Sequence, residues 1–438
     1  MRPVRYIAVL ALVLFVWQSP VFAALASTAN EENPVSLSVL EEQARSRVNA
    51  KARVPLAEES SELFKGVDGF EAPESGHVPN YLRALSTMPG VPNAFAHTAK
   101  TILYGGTIEP EIKLEMGLRM AQMHGSPYVA AHMERLLHAT ERGQAILALF
   151  HSGSFDSMKP ADRLALNYAE GLTRGVHGVS DADFEKVRGY FNDSQLVEMT
   201  MTVCFFNYFD RFSEALNLPV ESWVFDTPAK LHVATFDPPV ARVALISDAE
   251  IKATDDMVET MTGPKSPAKG WGIGFANSLR ALMRCPDIAQ AWMSYGTAVR
   301  QSAVIPRDLQ LQVSFAVSMA NGCRYCTFHQ VLGLRKLGVS MTKLMEMEKD
   351  DGALTPHELV AVLFARKLAR DPASMTDADY QKLRAEFGDQ GALDVLLQTC
   401  MFSGFNRFTD GLRLPSEDVA VQTYKEVYGK EWKPREKN

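Results

Sequence analysis

Met319-Ala-Asn-Gly-Cys-Arg-Tyr-Cys-Thr-Phe-His-Gln330 carries two thiols three residues apart, a histidine three residues further on, and an Asn-Gly break just ahead of them. If residues 306–320 are helical, Asn321-Gly322 ends that helix and Cys323 opens the next one. A cysteine at such a corner faces unpaired backbone N–H groups and the positive end of a helix dipole, which favour thiolate over thiol. Cys323, Cys326 and His329 are spaced so that the middle thiol reaches either neighbour on one helical face. The pattern suits a redox or nucleophile site. Several plainer readings compete with it. Free cysteines are often just small buried apolar residues. A zinc site needs about four ligands, and this segment offers three. Covalent haem attachment needs a histidine directly after the second cysteine, where Thr327 stands, and a thioredoxin-type pair belongs in a βαβ setting. The flanking sequence reads as helix on both sides, so dithiol chemistry on a helical scaffold is the reading that fits.

Working outward, the chain repeats itself. Asn80-Tyr-Leu-Arg-Ala-Leu85 matches Asn277-Ser-Leu-Arg-Ala-Leu282 at an offset of 197, and Ser180-Asp-Ala-Asp-Phe184 matches Thr376-Asp-Ala-Asp-Tyr380 at 196. Cys204 aligns with Cys400, Arg211-Phe212 with Arg407-Phe408, and Leu218-Pro219 with Leu414-Pro415. Each copy reads as a run of helices: Pro160 and Pro356 in first turns, Ser180 and Thr376 as N-caps. The segments 196–212 and 393–408 are long, apolar and free of proline, as central packing helices are. Alternation of period two is scarce, and short strands are expected only at 223–236 and 243–246. The fold class is therefore all-α, two tandem helical repeats forming a pseudo-dimer.

At the 197 offset, Gly125-Ser-Pro-Tyr-Val-Ala-Ala-His132 lies over Gly322-Cys-Arg-Tyr-Cys-Thr-Phe-His329. Tyrosine and histidine persist, whereas Ser126 and Val129 replace both thiols. The first copy reads either as scaffold or as a thiol-free pocket in which His132 and Glu115 do acid–base work. His124 and His138 read as surface residues.

The organisation that follows is a signal peptide at 1–23, an arm at 24–79 that is mobile or loosely docked with some helix at 37–52, a first repeat at 80–222, a linker at 223–276, a second repeat at 277–420 and a charged tail at 421–438. Arg2 and Arg5 precede a short apolar run ended by Ser19-Pro20, with Val21-Phe22-Ala23 as a cleavage pattern. Export to a bacterial periplasm is the expectation. With 438 residues, 46% hydrophobic and 22% charged, the chain suits a globular protein of two or three domains. A net charge of -7 argues against nucleic acid as a partner. Five cysteines, an odd number, do not make a disulfide framework; Cys204, Cys285 and Cys400 are expected to be buried.

These residues resemble the carboxymuconolactone decarboxylase/AhpD alkylhydroperoxidase-like family over roughly 80–220 and 277–420, most specifically at Asn321-Gly-Cys-Arg-Tyr-Cys326. The resemblance implies a small all-helical unit, a homo-oligomer, and, in the redox branch, peroxide reduction through a dithiol/disulfide cycle fed by a thiol or protein electron donor. It implies no cofactor and no metal. The family histidine commonly lies four residues after the second cysteine; here that position is Gln330. The usual activating glutamate falls at Leu311, beside Gln312, leaving Glu346, Glu348, His357 and Glu358 as substitutes. The expected function is an exported thiol-dependent peroxidase using Cys323, Cys326 and His329 on a peroxide or other small-molecule substrate. The alternatives are a cofactor-free decarboxylase or isomerase working through His132 and Glu115, and a non-catalytic periplasmic binding or assembly protein.

Overall fold

A computed structural model describes residues 34–67, 69–70, 77–226, 245–246, 250, 276–349 and 352–429. The signal segment, most of the linker and the end of the tail lie outside the described residues. Eighteen α-helices and a few 3-10 turns make up the secondary structure, and no strand occurs among the described residues. Where strands were expected from residue 223, Trp223–Asp226 is a short helix. All-α is the fold class.

After α1 (Leu37–Ser46), the helices run α2 (Asn80–Arg83), α3 (Val91–Tyr104), α4 (Pro110–His124), α5 (Pro127–His138), α6 (Gly143–Ser152), α7 (Pro160–Arg174), α8 (Asp181–Arg188), α9 (Asp193–Leu216) and α10 (Trp223–Asp226). They continue with α11 (Asn277–Leu282), α12 (Pro286–Ser302), α13 (Arg307–Asn321), α14 (Arg324–Lys336), α15 (Met341–Lys349), α16 (Pro356–Arg370), α17 (Asp377–Gly411) and α18 (Asp418–Tyr428). The sequence chemistry explains the boundaries. Pro160 and Pro356 occupy first turns, where a missing N–H costs nothing. The Ser180 and Thr376 hydroxyls accept the N–H groups of Asp183 and Asp379 as N-caps. Gly388, at φ +69, breaks α17 into two helical stretches, at the place where a loop separates α8 from α9.

The two long apolar segments form the centre. Nearly every residue of α9 is buried, as is most of α17 beyond Gly391, and the two helices pack directly on each other. Gly404 permits this: a Cβ there would stand 2.4 Å from the Cys204 carbonyl oxygen. Around the crossing, the Tyr208 and Tyr295 hydroxyls hydrogen-bond at 2.6 Å, and the Thr98 hydroxyl donates to the Ala291 carbonyl. Cys204 and Cys400 are fully buried, while Cys285 is half-buried.

The arm differs from its expectation. From Val35 onward the chain belongs to one compact unit. Leu37, Leu40 and Ala44 are completely buried, and Arg47 grips Glu214 with two bonds of 2.9 and 2.7 Å. A Glu/Ser/Ala-rich composition hid a short amphipathic stripe on α1. The expected helix at 37–52 ends as α-helix at Ser46.

A buried ion pair ties α4 to α9. The Lys113 ammonium lies 2.6 Å from Glu198, with neither side chain more than 1% exposed, and it also donates to the Ile102 and Gly105 carbonyls. Glu198 accepts the Thr107 and Ile108 N–H groups. Replacing Lys113→Met strands a buried carboxylate, so we expect a loss of about 3 kcal/mol in folding stability. Urea denaturation measures it, and a change below about 1 kcal/mol would contradict the pair's importance.

Candidate active site

The helix–turn–helix corner forms where the sequence placed it. Asn321 ends α13, Gly322 takes the left-handed conformation at φ +72, and the Cys323 N–H returns to the Ser318 carbonyl. Cys323 is then the N-cap of α14, its sulfur accepting the Cys326 N–H at 3.3 Å. Both sulfurs lie 3.4 Å from a single hydroxyl, Thr409 Oγ1. That hydroxyl is within bonding distance of the Phe405 and Asn406 carbonyls, to which it donates, so its lone pairs can accept from the thiols. Next to it, the Asp410 carboxylate accepts the Arg324 N–H at 3.2 Å.

The thiol electrostatics differ from the expectation. Cys323 is fully buried and Cys326 is 3% exposed. Burial pushes the Cys323 thiol well above its ordinary value, and the neighbouring Cys326 and Asp410 push it further, against the Thr409 hydrogen bond. A helix N-terminus contributes about 0.3–1 kcal/mol, less than one pKa unit. Desolvation of a buried group outweighs that. In this closed arrangement Cys323 is a thiol, and it needs a proton acceptor to react.

His329 is not that acceptor here. Its Nδ1 lies 2.7 Å from the Tyr325 carbonyl and its Nε2 2.5 Å from Glu417. Both ring nitrogens are thus engaged, one by a backbone carbonyl and one by a carboxylate. Glu417 also accepts the Tyr325 hydroxyl at 3.1 Å and the Asn277 N–H at 2.6 Å. Burial raises this carboxyl, but the His329 bond and charge, with the Asn277 N–H, hold it below its usual range. The same constellation stands in the N-terminal half. His132 Nε2 lies 3.2 Å from Glu221, which accepts the Tyr128 hydroxyl and the Asn80 N–H. Both clusters pin an α5- or α14-type helix to the chain that follows the long central helix.

Glu115 and His132 are not brought together. His132 is taken by Glu221, whereas Glu115 lies 3.6 Å from Arg142, which is already engaged by Glu111 and Asp162. Neither Glu115 oxygen has a hydrogen-bond partner. Burial, then the Asp162 charge, push its carboxyl up to about 8. Because the folded value lies above the ordinary 4.5, Glu115 favours folding only while protonated, so stability falls as pH rises from about 4.5 to about 8. Glu115→Gln should remove that dependence. We expect urea midpoints that converge below the ordinary value and separate in favour of the variant near pH 8, by a few kcal/mol; parallel curves would contradict the assignment.

Two of the other candidates, His357 and Glu358, are engaged elsewhere. His357 pairs with the exposed Glu386, and Glu358 binds Lys343, Gln312 and its own helix cap. Leu311 is buried. His138 is exposed as expected, but His124 is buried, with Nδ1 2.7 Å from Asp210 and Nε2 3.2 Å from Arg211. Among the described residues, ligand atoms of Glu41, Glu134 and His151 converge within 4.8 Å as metal ligands would; they lie on α1, α5 and α6, away in sequence from the thiols.

Sequence reasoning missed Thr409, Asp410 and Glu417. A signal was present. Glu221 and Glu417 each follow the matched Leu-Pro pairs by two residues, and Ser213-Glu214 lies over Thr409-Asp410. In the N-terminal half the Ser126 hydroxyl donates to Glu214 at 3.0 Å.

Residues 286–367, which include both thiols, match the carboxymuconolactone decarboxylase family. Two crystal structures of the debrominase Bmp8 are similar at 18% identity. The first, a variant in complex with 2,3,4-tribromopyrrole, has a TM-score of 0.37 and covers 44% of this chain and 100% of its own. The second, the apo protein, has a TM-score of 0.36 and covers 42% of this chain and 97% of its own. No curated protein matches the chain.

Proposed function

We propose that this protein is a thiol oxidoreductase that reduces a peroxide through a Cys323/Cys326 dithiol/disulfide cycle. The observation that carries this is the shared hydroxyl. Two free thiols bonded to one oxygen, Thr409 Oγ1, occupy neighbouring positions in a segment that matches the carboxymuconolactone decarboxylase family. In the first step a thiolate attacks the peroxide, an S–O bond forms, the O–O bond breaks, and the leaving oxygen departs protonated as alcohol or water. The second thiol then attacks the sulfenic sulfur and releases water, leaving a disulfide that a thiol or protein donor reduces. His329 serves here by holding α14 in place through Glu417 rather than by touching sulfur.

The same proposal assigns the N-terminal half a scaffold role in a pseudo-dimer and residues 1–23 an export signal. Val129 and Ser126 leave that half without sulfur, and its histidine and tyrosine are fully buried against Glu221. The test is peroxide consumption in the presence of dithiothreitol. Many turnovers per protein molecule are expected, and consumption no faster than in buffer with the reductant alone would defeat the reading.

A further inference from the structure

Thr409 holds its hydrogen more loosely than the other helical threonines. In Thr98, Thr202, Thr327 and Thr399 the hydroxyl donates to the carbonyl four residues earlier at 2.8, 3.0, 2.6 and 2.7 Å. Thr409 Oγ1 instead lies 3.2 Å from the Phe405 carbonyl and 3.3 Å from that of Asn406, beyond the usual O–H···O distance of about 2.7–2.8 Å. One hydrogen is shared between two distant acceptors. On its other side the same oxygen lies 3.4 Å from each sulfur.

The matched place in the N-terminal half keeps the hydroxyl. Ser213, which lies under Thr409 at the 196 offset, donates to the Asp210 carbonyl at 3.0 Å and stands 3.2 Å from the Ser126 hydroxyl, at the position of Cys323. Val129 takes the place of Cys326 there. Both halves thus aim a hydroxyl at the start of the helix, and in the half with sulfur it meets two thiols. Thr409 and Cys323 are fully buried, so a thiolate formed there lacks the hydration it has in water and depends on fixed donors. The Cys326 N–H already serves Cys323.

We propose that Thr409 is a catalytic residue of the dithiol site, its hydroxyl turning from the helix carbonyls to donate a hydrogen bond to whichever of Cys323 and Cys326 is the thiolate. This deepens the dithiol reading above and rests on it for its chemical purpose. A hydrogen bond to an anion is roughly twice as strong as one between neutral groups, so a thiolate outcompetes two long carbonyl contacts. No bond of Thr409 forms or breaks. The thiol proton passes to hydroxide or a buffer base, and the Thr409 hydrogen stays on oxygen. As the thiolate attacks, the S–O bond forms, the O–O bond breaks, and the leaving oxygen takes a proton from water. The hydroxyl then turns to the second sulfur, which ionises in the same way and attacks the sulfenic acid, forming the S–S bond and releasing hydroxide. A single donor equidistant from both sulfurs suits a charge that alternates between them.

The charged groups around this corner have other partners. On α17, Asp410 accepts the Arg324 N–H and Arg407 donates to Ser403. On α14, the Arg324 guanidinium lies over the Phe328 ring and His329 is held by Glu417. His177, from the loop between α7 and α8, places Nε2 3.0 Å from the Gly322 carbonyl and 3.6 Å from Asp410. Burial raises the Cys323 thiol, and the Thr409 bond opposes that rise.

The test is the pH dependence of iodoacetamide alkylation at Cys323 and Cys326 in the reduced full-length protein, read by peptide mass from about pH 6 to about pH 11. Cys204, fully buried at the helix crossing, reports any general loosening. Thr409→Val keeps the shape and removes the donor. Its alkylation midpoint should move to higher pH by about one unit or more, the shift that corresponds to losing a hydrogen bond to a charged group. Thr409→Ser keeps the hydroxyl and should recover most of that shift. A purely structural role predicts otherwise, with faster alkylation at every pH and an exposed Cys204. A Thr409→Val midpoint that stays put or falls, with Cys204 still protected, overturns the proposal, because the hydroxyl would then serve only the protonated thiols. A wild type in which neither thiol alkylates over this range overturns it as well. If Thr409→Val does not fold, Thr409→Ala takes its place, and a Thr409→Ser midpoint displaced as far as that of Thr409→Ala overturns it. None of these measurements uses peroxide. A protein inert to peroxide but with a Thr409-dependent midpoint would remove the dithiol reading and leave this one standing.

Discussion

Replacing either Cys323 or Cys326 with serine should reduce peroxide turnover to the uncatalysed level while leaving the fold intact. The cycle needs both sulfurs, one to accept the peroxide oxygen and one to expel it as water. Serine is nearly isosteric with cysteine, and Ser126 already occupies the position that aligns with Cys323, buried and hydrogen-bonded to Glu214. Loss of activity in these variants therefore reports chemistry rather than unfolding. The two differ in what they accumulate. The variant that keeps the attacking thiol halts at a sulfenic acid and becomes labelled by dimedone; the other does not react. Cys323 is a strongly desolvated thiol, whereas Cys326 has slight exposure, so the labelling pattern also fixes their order. Turnover that survives in both variants would point to chemistry elsewhere in the molecule.

The second large effect is expected at Glu417. Glu417→Gln removes the anion from a cluster that holds His329, Tyr325 and the start of α11. It leaves a largely buried histidine without its carboxylate partner, since the two side chains are only 8% and 13% exposed. Breaking such a pair costs about 3–5 kcal/mol when fully buried, and we expect about 3 here because of that residual exposure. The pH dependence has a definite sign. The folded carboxyl lies below its ordinary 4.5, so its contribution is complete above about 4.5 and disappears as pH falls through the folded value. Thermal denaturation of wild type and variant should therefore diverge most above that value and converge in acid. A variant as stable as the wild type at neutral pH would show that α14 is held by packing alone.

Much of the helical framework was legible because its signals are local. Proline in a first turn, serine and threonine caps, and Asn-Gly at a corner act over a few residues, and each stands where the sequence placed it. Cys323 as an N-cap followed from the same reasoning. What was not legible depends on contacts made across long stretches of chain. The thiolate expectation used the helix end, which is visible in sequence, and lacked the burial, which is not. Glu115 and His132 were paired because both are ionisable and near each other in the repeat, but the fold sends them to Arg142 and Glu221. His124 looked like a surface residue until Asp210 and Arg211 closed over it. Asp410 and Glu417 lie more than eighty residues from the atoms they hold. Their one trace in sequence was a carboxylate kept beside matched landmarks in both halves, which a search for thiol and histidine spacing passes over.

The most direct test of the central claim is the intact mass of the reduced protein before and after one equivalent of peroxide. Disulfide formation predicts a loss of about two daltons, mapped by digestion to a single peptide containing Cys323 and Cys326. Unchanged thiols, or oxygen added to sulfur with no bond between the two, would contradict the account.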